Sequence, residues 1–391
     1  MTNRQQALIT LNAGSSSLKF ALYTADPKQS EPLTRGAISN LDQQPKMSVE
    51  NQTAEHLLPD INNHQQALAY LLGWLEQTYP AIQLVAAGHR VVHGGAKFSG
   101  PVRIDAPVRQ QLQTFIKLAP LHMPHNLAAI DALQEQRPAL PQVACFDTAF
   151  HHSMSWNEQH YALPHEWFDK GVRRYGFHGL SYEYIASVLA EYLGEQADAR
   201  IIVAHLGHGA SLCAMRERQS VATTMGFTPL SGIPMATRPG DLDPGLSRWL
   251  MHEAGLSIDE MDHLLNHQSG LLALSGISDD MRVLLADKSD AAQQAINYFI
   301  HHTHRAIASL VAVLGGLDAL IFTAGIGENS AAIRQQICTQ ASWLGLALDA
   351  SANTNHDIKI NTDDSKVSIW CIPTNEEMMI AHHTRTLLRK P

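Results

Sequence analysis

The chain of 391 residues carries a net charge of −9, because 37 acidic side chains outnumber 28 basic ones. It has no basic tract, which argues against nucleic acid as a partner, since binding a phosphate backbone needs clustered Lys and Arg. Hydrophobic residues make up 45% of the sequence. No run reaches the ~18 apolar residues of a membrane span, so we expect a globular chain of two or three domains that does not enter a membrane.

The cysteines lie far apart and form no C-x-x-C pair. This spacing predicts neither a disulfide framework nor a zinc site, and it is typical of proteins from a reducing cytosol. We therefore expect a cytoplasmic protein. The four residues are Cys145, Cys213, Cys338 and Cys371.

The first distinctive stretch is Ala7–Phe20, where the polar segment Asn12–Ser17 separates two apolar runs. This pattern predicts a strand, a tight turn and a returning strand. Three hydroxyls, an amide and the backbone N–H groups around Gly14 suit the turn to phosphate oxygens, although an ordinary serine-rich loop is the alternative. It is not a P-loop, because Lys19 lies on the returning strand instead of opening a helix.

Helical and buried-strand patterns alternate between residues 63 and 150, as expected of an α/β domain. Asn126 occupies a position that suits a helix N-cap. The predicted elements are a helix at Asn63–Tyr79, a strand at Leu84–Val92, helices at Pro107–Leu118 and Leu127–Gln136, and a strand at Val143–Phe150.

Each of these two strands carries one charged residue near its carboxyl end. Arg90 lies within an apolar run, so it needs an anionic partner, either a structural carboxylate or a substrate. Asp147 lies where α/β folds place catalytic groups, although a structural role is equally consistent with the pattern.

The composition changes near residue 150, where we place a domain boundary. A helix is predicted at Tyr182–Tyr192, and Ile201–Ser211 then repeats the opening pattern of apolar strand, Gly-rich turn and returning strand. Two such hairpins, each opening one half of the chain, indicate a duplicated architecture that holds phosphate between its halves.

The remainder of the chain contains one long loop and several further elements. Met225–Gly245 is rich in Gly and Pro, which predicts an ordered functional loop, and Arg238 is its one cation. Leu317–Asn329 predicts a strand, a Gly-rich turn and a helix N-terminus suited to a nucleotide. Helices are predicted at Gly245–Glu253, Ser257–Asn266, Ser275–Arg282 and Ala291–Leu314, a strand at Lys366–Ile372, and a terminal helix after Thr374.

Taken together, the motifs resemble those of the acetate and propionate kinase family over nearly the whole chain. Each string is weak alone, but their joint order is specific. They are N-A-G-S-S-S-L-K-F, G-H-R-V-V-H-G-G, F-D-T-A-F-H, Y-G-F-H-G, M-G-F-T-P-L, T-R-P-G-D-L-D-P, F-T-A-G-I-G-E-N and N-E-E.

The resemblance implies an α/β protein with the duplicated actin-like ATPase and sugar kinase fold (ribonuclease H-like), two domains around a cleft. We expect an N-terminal domain at 1–149, a nucleotide-binding domain at 150–373, and a helix at 374–391 that returns towards the N-terminal domain. The family transfers the γ-phosphoryl group of ATP reversibly to a short-chain carboxylate, giving ADP and an acyl phosphate, with Mg²⁺ or alternatively Mn²⁺. Its members are homodimers acting on small molecules.

The resemblance also implies roles for individual residues, grouped by the substrate or ion that they would contact. Catalysis would rest on Arg90, His122, Asp147, His178 and Arg238, and the alkyl pocket on Val92, Leu121, Phe177 and Pro229. The metal would be held by Asn12 and Glu376. ATP would contact Ser15, Ser17, Lys19, His205, Gly207, His208, Gly209, Asp280, Met281, Arg282, Gly325, Ile326, Gly327 and Asn329.

Four positions depart from the family's usual strings, namely Tyr182, His208, Ala222 and Ala236. His208 replaces an amide in the phosphate hairpin, and we expect it to retune nucleotide binding below pH ~7, since an unperturbed imidazole has a pKa of ~6.5. Two alternatives to an acetate kinase stay open: a propionate kinase, or a catalytically weakened nucleotide-binding homologue.

Overall fold

The structure, a computed structural model, describes residues 4–50, 52, 55–58 and 60–389. Residues 390 and 391, at the end of the predicted terminal segment, lie outside the described residues. The chain divides into two compact units, Met1–Phe150 with Asn375–Pro391, and His151–Thr374. Among the described helices, none combines the length and apolarity needed to cross a membrane.

The first unit is built on one mixed β-sheet. Its described strands are β1 (Gln5–Ala13), β2 (Ser17–Thr24), β3 (Thr34–Ser39), β4 (Lys46–Val49), β5 (His56–Leu57), β6 (Ile82–Val91), β7 (Val102–Arg103) and β8 (Gln142–Phe146). They lie in the order β5-β4-β3-β2-β1-β6-β8-β7. The pairs β1–β2 and β2–β3 are antiparallel, whereas β6 runs parallel to both β1 and β8.

Helices cover both faces of this sheet. One face packs against α1 (His64–Thr78), and α3 (Met123–Gln136) shares that core, while α2 (Ala106–Thr114) contacts α3. The C-terminal helix Glu376–Arg389 packs on the other face. Because successive side chains of a strand point to opposite faces, Ile9 joins the first core and Leu8 the second.

The C-terminal helix approaches strand β6 closely. A Cβ at Gly88 would lie 2.3 Å from Thr384 Oγ1 and 2.5 Å from the Ile380 side chain. Only glycine allows this approach without a shift of the helix. The packing fixes the start of the helix, and hence Glu376, relative to the strand that carries Arg90.

The second unit repeats the central part of this sheet. Its described strands are β9 (Ile201–Leu206), β10 (Ala210–Arg216), β11 (Gln219–Thr223), β12 (Ala319–Thr323) and β13 (Ser368–Cys371). Their order, β11-β10-β9-β12-β13, corresponds to β3-β2-β1-β6-β8 in the first unit. In both units an antiparallel hairpin is followed by two parallel strands. The duplication expected from the two hairpins is therefore confirmed.

A long helix and several shorter ones surround the second sheet. The long helix α11 (Asp290–Leu314) contacts β9, β10 and β11, and its buried residues recur at helical spacing from Ala292 to Leu314. The described helices are α4 (Trp156–Gln159), α5 (His165–Asp169), α6 (Gly179–Leu193), α7 (Pro244–His252), α8 (Ile258–His267), α9 (Gly270–Ser275), α10 (Met281–Ala286), α11 (Asp290–Leu314), α12 (Ala324–Asn329), α13 (Ala331–Gln340) and α14 (Ala350–Thr354).

Three local predictions are wrong. Helix α3 begins at Met123 with His122 as its N-cap, so Asn126 lies inside the helix and does not cap it. The helix predicted at Ser275–Arg282 is interrupted, because α9 ends at Ser275 with Gly276 (φ 64°) as its C-cap, and α10 starts only after Asp280. The glycines after β12 lie within α12 instead of forming a separate turn.

Candidate active site

The turn between β1 and β2 is held from two sides by buried polar side chains. Gly14 N–H donates to Ser17 O (2.9 Å), which closes the turn. His64 Nε2–H donates to Gly14 O (2.7 Å), and Asn126 Nδ2 donates to Ala13 O (2.9 Å). Since Asn126 Oδ1 also accepts from the N–H of Val92, just after β6, this amide ties the turn to the neighbouring strand.

The predicted phosphate ligands lie on or beside this turn. Ser15 and Lys19 are exposed, and Ser17 is half-buried. Lys19 lies directly opposite Asn12 in the antiparallel pairing of β1 and β2. The hairpin therefore presents hydroxyls, an amide and an ammonium group at one end of the sheet.

Arg90 and Asp147 meet at the carboxyl ends of the parallel strands β6 and β8. Arg90 Nη2 donates to Asp147 Oδ2 (2.5 Å), and Arg90 Nε lies 3.0 and 3.1 Å from the two carboxylate oxygens. Arg90 Nη1 donates to Asn12 Oδ1 (3.2 Å). The Asp147 side chain is 2% exposed and that of Arg90 is 24% exposed. A buried carboxylate therefore orients a partly accessible guanidinium group.

A second carboxylate, Glu376, stands at the first position of the C-terminal helix. Its Oε2 lies 3.9 Å from Arg90 Nε. Burial raises the pKa of Glu376 to about 7, and Asp147 and Glu377 add to the rise against the opposing charges of Arg90 and Lys19. Burial alone would lower the pKa of Arg90, but Asp147 and Glu376 hold it above its ordinary value. Two carboxylates thus share one arginine.

In the second unit, the hairpin β9–β10 carries imidazole and hydroxyl groups. The rings of His178 and His205 are stacked, with centroids 4.1 Å apart and planes 18° apart. His178 Nδ1 lies 2.8 Å from Ser211 Oγ, and His205 Nδ1 lies 2.8 Å from Ser181 Oγ. His178 adopts a left-handed backbone conformation (φ 57°) at the N-cap of α6, an unusual choice for a non-glycine residue that is often found at functional sites.

Gly209 brings Arg238 and His178 to one place. A Cβ at Gly209 would lie 2.6 Å from Arg238 Nη2 and 3.1 Å from His178 Nε2. Arg238 Nη1 also donates to Pro229 O (2.8 Å) within residues 224–243, all of them described, which form a loop without helix or strand. Because Gly209 has no side chain, the Arg238 guanidinium group and the His178 imidazole can both approach the hairpin at this position.

A cavity of about 490 Å³ collects most of the residues predicted to contact ATP on the adenosine side. His208 projects at its rim, with Nε2 3.2 Å from Asp279 Oδ2 and two thirds of its side chain exposed. Asp280 caps α10 and holds Arg282, whose guanidinium group keeps the pKa of Asp280 below its usual range. The lining residues are Gly207, His208, Asp279, Asp280, Met281, Arg282, Leu285, Gly325, Ile326, Asn329 and Ser330.

The remaining predicted residues are distributed over the two units. Val92 (7% exposed) and Leu121 (41% exposed) belong to the first unit, where half-buried His122 caps α3. Phe177, which is buried, and half-buried Pro229 belong to the second. Gly327 is buried and does not line this cavity; a Cβ there would lie 3.4 Å from the backbone of Phe322 and 3.6 Å from Ala204 O.

Local sequence patterns did not predict the role of the residues that hold the predicted ligands in place. These are polar side chains within apolar surroundings, a signal that was available, since an unpaired buried polar group is costly and such residues have partners. They are His64, Asn126, Ser181, Tyr182 and Ser211, and the rim residue Asp279 was also missed.

Comparison with known proteins establishes the family. A family model described as the acetokinase family matches residues 7–382. The chain belongs to the acetokinase family. An acetate kinase of Rhodopseudomonas palustris (strain ATCC BAA-98 / CGA009) is 51% identical over 385 residues, which cover 96% of this chain and 97% of that protein.

Solved structures of the family share the fold. The crystal structure of Porphyromonas gingivalis acetate kinase is 36% identical, with a TM-score of 0.89, over 98% of this chain and 100% of that one. A propionate kinase from Francisella tularensis subsp. tularensis SCHU S4 is 39% identical, with a TM-score of 0.92, over 97% of this chain and 99% of that one. The predicted α/β fold class is confirmed, and the chain is an acetokinase-type phosphotransferase whose acceptor is a carboxyl group.

Proposed function

We propose that this chain transfers the γ-phosphoryl group of ATP to acetate, giving acetyl phosphate and ADP, and that the reaction is reversible. Membership of the acetokinase family supports the reaction class. The observation that carries the proposal is the Arg90–Asp147 pair, because it presents a fixed guanidinium group beside the hairpin turn that carries Ser15 and Ser17.

The chemistry of this reaction matches the groups present. A carboxylate is already ionised and nucleophilic at neutral pH, so the reaction needs no strong general base. The difficulty is to bring two anions together, and positive charge placed around the transferring group stabilises the in-line transition state. We assign this role to Arg90 and Lys19 in the first unit, and to Arg238 and His178 in the second.

We further propose that Asn12 and Glu376 hold Mg²⁺. An amide oxygen and a carboxylate are the hard oxygen donors that Mg²⁺ prefers, and one or two such residues suffice when phosphate oxygens and water complete the shell. The raised pKa of Glu376 supports the assignment, because a bound cation would relieve the cost of ionising this partly buried carboxylate. When bound, the ion would neutralise charge on the phosphate oxygens of the nucleotide.

We assign the adenosine part of ATP to the cavity between the β9–β10 hairpin, α10 and α12. Gly325 supports this assignment, because a Cβ there would meet no atom within 4 Å and the cavity wall is open at that point. Backbone at such a position can approach a flat ligand closely.

Propionate is a second candidate substrate. The propionate kinase that resembles this chain over 97% of its length motivates it. One methylene changes binding by only ~1–3 kcal/mol in such a pocket, so both acids can be substrates of one enzyme. Val92, a wall of medium size in the assigned alkyl pocket, favours acetate or propionate over butyrate.

We also propose that the chain forms a homodimer in the cytoplasm. Large apolar side chains stay exposed on the helices of the second unit, including Trp249 (55%) and Ile258 (69%), and such surfaces mark interaction sites. The four cysteines are buried and lie far apart in the sequence, which suits a reducing compartment. Light scattering tests the dimer directly, and a monomeric mass at micromolar concentration would exclude it.

Hydroxylamine trapping of the acyl phosphate tests the proposed reaction. The purified chain is incubated with ATP and Mg²⁺ and, in parallel, formate, acetate, propionate and butyrate, with glycerol as the control acceptor. We expect robust product with acetate, a measurable rate with propionate and none with glycerol. Absence of product with every acid, despite demonstrable ATP binding, would overturn the proposal.

A further inference from the structure

Two buried hydroxyls form a short chain that ends on His178. Tyr182 Oη lies 2.5 Å from Ser211 Oγ, and Ser211 Oγ lies 2.8 Å from His178 Nδ1. Tyr182 and Ser211 are each 0% exposed. Tyr182 lies on the first turn of α6, four residues after His178, and Ser211 lies on β10. A helix and a strand therefore hold the two hydroxyls in place from two sides.

The number of hydrogens decides the direction of these hydrogen bonds. Each hydroxyl has one hydrogen to donate, and neither has a further hydrogen-bond partner among the described residues. If Tyr182 donates to Ser211 and Ser211 donates to His178 Nδ1, every hydrogen is used. If Nδ1 instead carried a proton and donated to Ser211, either the Tyr182 or the Ser211 hydrogen would lack an acceptor in a dry site.

A buried donor without a partner is costly, so the first arrangement is favoured. Burial also holds the pKa of Tyr182 well above its ordinary value, which keeps the phenol protonated and able to donate. The chain of donors therefore runs from Tyr182 through Ser211 to the imidazole.

We propose that Tyr182 and Ser211 are positioning residues that fix His178 as the tautomer with its proton on Nε2. Nε2 is the nitrogen that faces the space at Gly209, the same space that Arg238 Nη2 approaches. A protonated Nε2 donates a hydrogen bond there, whereas the other tautomer would present a lone pair to an anion. This inference rests on the proposed function, in which His178 and Arg238 act on the phosphoryl group.

The consequence for catalysis is preorganisation. A donor that already has the correct tautomer needs no rearrangement when negative charge develops on a phosphoryl oxygen. Neither positioning residue touches the substrate in this account, so their effect should appear in kcat and not in KM.

The tautomer is directly measurable by ¹⁵N NMR. In a protein labelled with ¹⁵N-histidine, the protonated and unprotonated ring nitrogens have well-separated chemical shifts, and the His178 signals among those of 22 histidines are the ones lost in His178→Gln. We expect the proton on Nε2 in the wild-type protein at pH 8. A proton on Nδ1 would overturn the proposal, and this measurement requires neither Tyr182 nor Ser211 to be changed.

Variants connect the tautomer to the rate. Tyr182→Phe removes one hydroxyl, Ser211→Ala removes the partner of Nδ1, and Tyr192→Phe on the same helix is the matched control. We expect kcat to fall about 5-fold in Tyr182→Phe and about 10-fold in Ser211→Ala, with KM values for ATP and acetate changed less than about 2-fold. In Ser211→Ala both tautomers of His178 should be detected. The control should match the wild type.

The outcomes separate this proposal from the proposed function. Wild-type kcat in both variants, or a lower kcat with the His178 spectrum unchanged, would contradict the positioning role. A wild-type protein that is inactive with every acid would overturn the proposed function, but the NMR result would still decide the tautomer.

Discussion

The two hairpins occupy the same place in two sheets of the same strand order, yet their surroundings differ in kind. The β1–β2 hairpin of the first unit lies beside charged side chains. Arg90 is hydrogen-bonded to Asp147, and the carboxylate of Glu376 lies 3.9 Å from Arg90 Nε. The β9–β10 hairpin of the second unit adjoins stacked imidazoles held by hydroxyls. One scaffold thus supports a cluster of paired charges in one copy and imidazoles hydrogen-bonded to hydroxyls in the other.

This difference indicates how each half should respond to substitution. Removing a charge from the first half leaves its partner buried and unpaired, so stability and activity change together. The hydrogen bonds of the second unit require the precise placement of their donors and acceptors. An added methyl group or a shifted proton there should therefore change kcat and leave the fold intact.

The largest effect is expected from Arg90→Ala. Loss of the guanidinium group should lower kcat by about 10³-fold or more, as in other phosphoryl transfers that lose an arginine. It should also lower the melting temperature, because Asp147 is then buried without a counterion. Steady-state kinetics and thermal unfolding measure the two effects.

A second variant separates these two losses. In Arg90→Ala/Asp147→Asn the charge of Asp147 is gone and only Glu376 has lost its counterion, so the melting temperature should recover in part while kcat stays low. Arg109→Ala is the control, because the Arg109–Asp131 pair has similar geometry but its carboxylate is 46% exposed. Recovery of activity in the double variant would show that Arg90 acts only by neutralising Asp147.

Gly209→Ala tests whether the second half depends on position. The added methyl group would lie 2.6 Å from Arg238 Nη2, so the flexible guanidinium group must move away from the hairpin. We expect kcat to fall about 10²-fold, since misplacing a transition-state contact by about 1 Å can cost this much. Circular dichroism should show an intact fold.

Gly73→Ala is the matched control for that change. A Cβ at Gly73, in α1, meets no atom within 4 Å, so the same added methyl should leave kcat unchanged. Near-normal kcat in Gly209→Ala would remove Arg238 and His178 from the proposed site.

The third prediction concerns pH and Mg²⁺ in the first half. Because the folded-state pKa of Glu376 is about 7, against 4.5 as its ordinary value, the folded protein binds this proton more tightly than the unfolded chain. The stabilisation from this group is therefore present at acid pH and is lost as pH rises through about 7. Mg²⁺ competes with the same proton, so its affinity should rise with pH and level off above that value.

Titration of activity with Mg²⁺ at several pH values measures this effect. Glu376→Gln should bind Mg²⁺ about 10-fold more weakly or worse, without the pH dependence. Glu377→Gln should move the midpoint to lower pH, since Glu377 contributes to raising the pKa of Glu376. An unchanged pH profile in Glu376→Gln would exclude Glu376 as the source.

The smallest effect is expected at His208. Its side chain is 67% exposed and its Asp279 partner 43%, and an exposed pair contributes at most about 1 kcal/mol. His208→Asn should therefore change KM for ATP by no more than about 5-fold, with the larger change at pH 6. Identical KM–pH profiles for both proteins would refute a role for His208 in nucleotide binding.

Much of this organisation could be predicted from local sequence. The two hairpins follow from strand periodicity interrupted by small polar residues, and their repetition predicted the duplicated sheet. The need of Arg90 for an anionic partner also follows from burial alone, although only the fold shows that this partner is Asp147.

The remainder depends on contacts distant in sequence. Asn126 suits a helix cap locally, but its amide bonds Ala13 and Val92, which are 113 and 34 residues away. The Tyr182–Ser211 hydrogen bond joins a helix to a strand 29 residues later, and the local sequence around either residue does not predict this pairing. Such tertiary hydrogen bonds override local propensity because burial makes a partner obligatory.

The most direct test of the central claim uses the reverse reaction. The purified chain is mixed with ADP, Mg²⁺ and acetyl phosphate, and ATP is measured by luciferase luminescence. The account predicts ATP formation that requires all three components and falls at least about 10³-fold in Arg90→Ala. No ATP from the wild-type chain, although ADP binding is detected by calorimetry, would contradict it.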